Sequence, residues 1–88
     1  MNDVETRLDE LESQMRALEA AVAEADAATQ AEFAELRAGW EADLATLRGQ
    51  ISSAKAVSAG QWETVQLGFA DSVERMERQY NDIAARVR

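Results

Sequence analysis

The sequence GQISSAKAVSAG, from Gly49 to Gly60, decides whether this chain forms a rod or a hairpin. It holds two glycines and three serines in twelve residues, and a glycine inside a helix costs about 1 kcal/mol relative to alanine. Ser58 followed by Gln61 also fits a capping box that starts a new helix at Trp62. The stretch predicts a weak segment at 49–60 with two open outcomes, a turn or kink within residues 55–61 or an uninterrupted helix.

On both sides of this segment, apolar residues recur at every third or fourth position. This spacing keeps one face of a helix apolar. Only Thr29 and Ser58 are polar among the 24 positions of the stripe. The stripe, called the seam below, consists of Val4, Leu8, Leu11, Met15, Leu18, Val22, Ala25, Thr29, Phe33, Leu36, Trp40, Leu44, Leu47, Ile51, Ala54, Ser58, Trp62, Val65, Phe69, Val73, Met76, Tyr80, Ile83 and Val87.

The composition predicts an all-α protein. Proline is absent, 47% of the residues are apolar and 30% are charged, which is typical of coiled coils and long helices. We expect one domain over residues 1–88, with a long amphipathic helix over about 3–48 and a second helix over about 61–87. The alternatives are a single uninterrupted long helix and a three-helix bundle. The bundle requires a second break near Thr29, where Glu32 completes another possible capping box.

The small size of the chain predicts that the seam meets other helices. A domain of 88 residues buries little core by itself. Cysteine and histidine are both absent, so disulfides and the commonest zinc ligand cannot add stability. We therefore expect a homo-oligomer, either a coiled coil or a bundle of hairpins. The predicted oligomer or partner interface is Leu8, Leu11, Met15, Leu18, Val22, Phe33, Leu36, Trp40, Leu44, Leu47, Ile51, Trp62, Val65, Phe69, Val73, Met76, Tyr80 and Ile83.

The charges beside the seam are unevenly distributed. Residues 1–47 carry twelve acids and three bases, whereas residues 48–88 carry five acids and six bases. An antiparallel arrangement centred near Phe33 would place Glu19 against Arg48 and Glu12 against Lys55. A parallel pair lets Arg7 reach Glu12 of the partner helix, so both directions remain open. The acidic first half favours a less acidic neighbour, either the second half or a basic partner.

The sequence offers no chemistry for catalysis. Without histidine, cysteine or a glycine-rich phosphate loop, we predict no enzyme activity and no catalytic, cofactor-binding or metal-binding residues. The net charge of −8 argues against binding to nucleic acid. No apolar run is long enough for a transmembrane segment. Residues 1–5 lack the basic and apolar regions of a signal peptide, which predicts a cytoplasmic location, with signal-less export as the alternative.

Three functions fit these observations. The first is a non-enzymatic coiled-coil protein that oligomerises or acts as a scaffold through the seam. The second is an acidic helical adaptor that binds a basic protein partner. The third is an amphipathic helical coat on a lipid or polymer surface.

Overall fold

The computed structural model describes residues 4–87, of which all but the turn at 23–26 lie in α- or 3₁₀-helix. The predicted all-α class is confirmed. The elements are α1 (Val4–Val22), α2 (Ala27–Ser58), a 3₁₀ turn (Ala59–Gln61), α3 (Trp62–Val65), a second 3₁₀ turn (Gln66–Phe69) and α4 (Ala70–Val87).

The long helices form a three-helix bundle, which is one of the architectures that the sequence left open. Its longest dimension is 49 Å, about the length of the 32 residues of α2 at 1.5 Å per residue. α2 therefore spans the whole molecule. α1 and α4 run parallel to each other, since Arg7 contacts Glu77 and Tyr80 donates a hydrogen bond to the carbonyl of Gln14. α2 runs antiparallel to both.

The first helix predicted over about 3–48 is interrupted, and residue 3 lies outside the described residues. α1 ends at Val22 and α2 begins at Ala27. The cap of α2 is Asp26, whose carboxylate accepts a 2.7 Å hydrogen bond from the Thr29 backbone N–H. Hydrogen bonding from the side chain of Thr29, and then from its backbone N–H, lowers the pKa of Asp26 below its ordinary value. The predicted cap at Thr29 is thus wrong by three residues, because Asp26 satisfies an N–H that the first turn of a helix leaves without a partner.

The side chain of Gln30 closes the same turn from the other side. Its Nε2 donates to the backbone oxygens of Ala23 and Ala25 at 2.9 and 3.0 Å. Helices end with carbonyls that have no partner within the helix, and Gln30 supplies that partner here. The turn consequently needs neither glycine nor proline.

The reversal between α2 and the rest of the chain lies at Ala59. Residues 49–58 continue α2 despite their glycine and serine content, so the weak segment breaks only at its end. Ala59 has φ 49° and ψ −128°, and no other non-glycine residue of the range 4–87 has a positive φ. The capping box predicted from Ser58 and Gln61 does not form, since Ser58 Oγ instead donates to the Lys55 carbonyl at 3.4 Å.

The second helix, predicted over about 61–87, is helical from Trp62 to Val87 but is not uniform. It tightens into the 3₁₀ turn at Gln66–Phe69 before α4 begins. Gln66 is buried there, and its Oε1 accepts a 3.3 Å hydrogen bond from the backbone N–H of Val4. This contact joins the first residue of α1 to the helix that runs beside it.

The core consists of one cluster of seam residues from α1, α2 and α4. A leucine that is fully removed from water contributes roughly 1.5–3 kcal/mol, so this cluster is the main source of stability. Its members are Val4, Leu8, Leu11, Met15, Leu18, Val22, Phe33, Trp40, Leu44, Leu47, Ile51, Val73, Met76, Tyr80 and Ile83.

Ion pairs line the edge where α1 meets α2. Arg48 contacts Asp9 at 2.7 Å and Glu12 at 2.9 Å, Lys55 contacts Glu5 at 2.8 Å, and Arg37 contacts Glu19. Partial burial alone would lower the pKa of Arg48, but its hydrogen bonds to the two carboxylates outweigh this effect and raise the pKa. α1 and α2 are antiparallel, which is one of the two directions, parallel and antiparallel, that the sequence left open. The partners predicted for it are wrong by about one heptad, because the observed pairs are centred at residues 28–30 of the sequence and not near Phe33.

Replacing Ala59 with glycine is expected to stabilise the bundle by roughly 1 kcal/mol, because glycine adopts this positive φ without the steric penalty of a Cβ atom. The free energy of unfolding in urea measures the effect. The matched control is Ala56→Gly, three residues earlier in α2, which should lower the free energy of unfolding by about the same amount. A lower free energy of unfolding in Ala59→Gly would contradict the positive φ of Ala59 at the reversal.

Replacing Arg48 with glutamine should lower the free energy of unfolding by roughly 0.5–1 kcal/mol, because two carboxylates of α1 lose their partner on α2. The matched control is Arg16→Gln, since Arg16 is 73% exposed and its ion pair, at 3.6 Å, is with Glu12 of its own helix. We expect little change in the control. Equal losses in the two variants would show that these pairs do not fasten α1 to α2.

Candidate functional site

The residues predicted as an interface lie within one chain. Fourteen of the eighteen belong to the buried core, and Leu36, Trp62, Val65 and Phe69 are partly buried. The bundle thus covers the seam without a second molecule, and the need for an outside partner to cover it no longer holds. The interface role of these residues stays a prediction, and it requires the bundle to open.

A groove between α2 and α4 is the best candidate for a binding site on the closed bundle. It has a volume of about 610 Å³. This α2/α4 groove is lined by Glu35, Leu36, Gly39, Trp40, Gln79, Asp82, Ile83, Ala85 and Arg86.

The floor of the groove is apolar, and a hydrogen bond ties it to α4. Trp40 is only 3% exposed, and its indole Nε1 donates a 3.1 Å hydrogen bond to the Met76 carbonyl of α4. Ile83 is buried beside it, and Leu36 is half-buried at the groove. A floor of this kind suits an aliphatic or aromatic side chain from a partner, because binding would remove further apolar surface from water.

Gly39 leaves space on the α2 side of the groove. A Cβ atom built at this position meets nothing within 4 Å. Neither packing nor backbone conformation requires glycine here, since its φ is not positive. The absence of a side chain at 39 therefore helps to keep the groove open above Trp40.

The wall on α4 contains a polar group that the bundle does not fully satisfy. Gln79 Nε2 lies 3.5 Å from Asp43 Oδ2, at the limit of a hydrogen bond. Its Oε1 is buried and has no hydrogen-bond partner within residues 4–87.

The rim of the groove belongs to an acidic end of the molecule. Glu35 and Asp82 border the groove with Arg86, while Glu24 and Glu32 lie exposed on the adjoining turn and first turns of α2. The other nearby bases do not neutralise this end. Arg37 is engaged by Glu19 and Glu41, and the hydrogen bond to Glu41, helped by that to Glu19, raises its pKa.

Two other surface features fit a ligand less well. A groove of about 720 Å³ beside α1 is lined mainly by polar and charged side chains, and its Arg7 and Glu77 already pair with each other. Val57 and Leu67 are the large apolar residues left exposed in the described range, at 85% and 63%. Single exposed apolar residues are ordinary on soluble proteins.

Sequence reasoning missed most of the groove. Leu36, Trp40 and Ile83 were predicted as seam residues, whereas Glu35, Gly39, Gln79, Asp82 and Arg86 were not assigned to any site. Gly39 next to a seam tryptophan was the available signal, because a glycine inside a helix of good helix formers often marks close approach or open space. The α4 residues that line the groove opposite Gly39 can be identified only from the packing of α4 against α2.

Within residues 4–87 there is no cluster of three or more acids that could hold a metal ion. In the same range, no helix combines the length and hydropathy needed to cross a membrane. Comparison of the chain with models of known protein families, with curated proteins and with solved structures finds no match.

Proposed function

We propose that this chain is a non-enzymatic, cytoplasmic interaction module that binds a basic amphipathic segment of another protein in the α2/α4 groove. The observation that carries this proposal is an apolar floor of Trp40, Leu36 and Ile83 inside a rim that contains Glu35 and Asp82. A bound helix would place apolar side chains on the floor and lysine or arginine against the rim.

The distribution of charge supports a basic partner. The chain carries a net charge of −8, and several of its bases are engaged in pairs that hold α1 against α2. Acids at the turn end of the bundle lack such partners in the described range. A negative surface of this kind accelerates the approach of a basic partner and makes the affinity depend on salt.

The proposal replaces the seam with the groove as the docking surface of the folded protein. Scaffolding by direct seam contacts, or coating of a lipid or polymer surface, would first have to expose Leu18, Trp40 and other core residues to the partner. Binding in the groove leaves that core intact. It therefore needs less rearrangement than the other two functions.

The probe is a synthetic amphipathic helix of leucine and lysine, labelled for fluorescence anisotropy. The wild-type bundle should bind it, and Gly39→Leu should weaken binding about tenfold or more because the new side chain fills the groove above Trp40. The matched control is Gly49→Leu, the same substitution in the same helix, where a Cβ atom also meets nothing within 4 Å. The control should bind as the wild type does.

The double variant Glu35→Lys/Asp82→Lys measures how much the acidic rim contributes to binding. Its matched control is Glu63→Lys/Asp71→Lys, which changes the net charge by the same amount at positions away from the groove. We expect the first pair to weaken binding several-fold more than the second, and wild-type binding to weaken from about 50 to about 300 mM salt. Equal weakening by both pairs, together with full binding by Gly39→Leu, would indicate general charge attraction and contradict the groove. If neither the wild type nor any of the variants bound the probe, the proposed function would be contradicted.

A further inference from the structure

The turn between α1 and α2 is made of residues that also form helix well. Residues 23–28 are Ala, Glu, Ala, Asp, Ala and Ala, with neither glycine nor proline, and none has a positive φ. The turn conformation is held by two side chains, Asp26 as the cap of α2 and Gln30 on the carbonyls of Ala23 and Ala25. These hydrogen bonds are exposed, so water competes with them.

The seam passes through the turn without losing its period. Val22, Ala25, Thr29 and Phe33 follow each other at steps of three, four and four residues. If residues 23–26 became helical, α1 and α2 would form one helix with its apolar residues still on one side. The sequence thus suits both the turn observed here and a straight helix.

The ion pairs between α1 and α2 have nearly the same midpoint in the sequence, and it lies in the first turn of α2, just after the turn at 23–26. The residues midway between the partners of Glu5–Lys55, Glu12–Arg48 and Glu19–Arg37 are 30, 30 and 28. Two straight helices packed antiparallel about a two-fold axis near these residues would form the same pairs between chains. The electrostatic contacts would therefore survive the exchange of α1.

The packing near the turn leaves room for such a rearrangement. An open surface groove of about 230 Å³ lies between the two helices, lined by Val22 and Phe33 among others. In the straight pair, Ala25 of one copy would lie nearly opposite Phe33 of the other, a small residue facing a large one. The exchanged arrangement thus offers Phe33 a second apolar partner.

We propose that this chain pairs with a second copy by exchanging α1. Residues 23–26 become helical, a single helix runs from residue 4 to residue 58, and α1 of each copy packs on α2 and α4 of the other. The interface then consists of the seam residues that α1 already buries in the single chain, and no new apolar surface has to be created. This pairing is independent of the proposed groove, which lies between α2 and α4.

The test is the double variant Asp26→Ala/Gln30→Ala, which removes both side chains that hold the turn and supplies good helix formers. We expect its dimer dissociation constant to fall about tenfold or more below that of the wild type. At a concentration between the two dissociation constants, light scattering should show a mass near 9.7 kDa for the wild type and twice that value for the double variant. Small-angle scattering should show a maximum dimension near 83 Å, the length of a 55-residue helix, in place of the 49 Å of the single bundle.

Two further variants distinguish exchange from other causes. Glu32→Ala/Gln50→Ala removes one acid and one glutamine from exposed positions of α2 outside the turn, and it should keep the wild-type mass. Inserting two glycines after Ala25 in the double variant should restore the single bundle, because the flexible turn no longer straightens. A helical double variant that stays at 9.7 kDa at about 1 mM, or a dimer only about 50 Å long, would overturn the proposal.

Discussion

Burial of the apolar face of α1 is the contact on which the rest of the structure depends. α1 contributes six residues to the core, from Val4 to Val22, and a helix of 19 residues in water gains most of its stability from such packing. α2 and α4 share the other sides of the same core, so removal of α1 would expose their seams together. The chain has no cysteine to form a disulfide and no histidine to bind zinc, so neither could replace the stability lost with α1. The turn that brings α1 back onto α2 therefore determines whether one chain can bury its own seam.

The seam allows the core to be predicted from the sequence, because every core residue is a seam residue. The period of three and four residues identifies the buried face of a helix whichever neighbour covers it. The glycines and serines of residues 49–60 allow a reversal near Gly60 without requiring one, and in the structure Ala59 and not Gly60 has the positive φ. The turn at 23–26 does not follow, since seam spacing and helix propensity both continue through it. What interrupts the helix is Asp26 as a cap together with Gln30, whose two acceptors become available only after the chain has turned.

The groove illustrates a second limit of local reasoning. Glu35 and Asp82 are 47 positions apart in the sequence, and they border one groove only because α4 packs antiparallel on α2. The pairs at the edge of α1 show the same dependence on tertiary structure. An antiparallel arrangement, one of the two directions left open, would set Arg48 and Lys55 against acids of the first half, and the structure pairs them with Glu12 and Glu5 in place of Glu19 and Glu12. A shift of the centre of the pairing from near residue 33 to residues 28–30 moved the partners by about one heptad.

The turn at residues 23–26 and the α2/α4 groove lie toward the same end of the molecule, and exchange at the turn would leave the groove in place. Both walls of the α2/α4 groove come from helices of one chain, joined through Ala59. Exchange of α1 between two copies would keep α2 and α4 together and would therefore preserve a groove in each copy. A dimer would then present two acidic-rimmed grooves on one rigid pair of helices. A partner that carries two basic amphipathic segments would bind such a dimer more tightly than the single bundle, since the second contact forms at a raised effective concentration. The strength of the turn at residues 23–26 would thus set not only the oligomeric state but also the apparent affinity for partners of that kind.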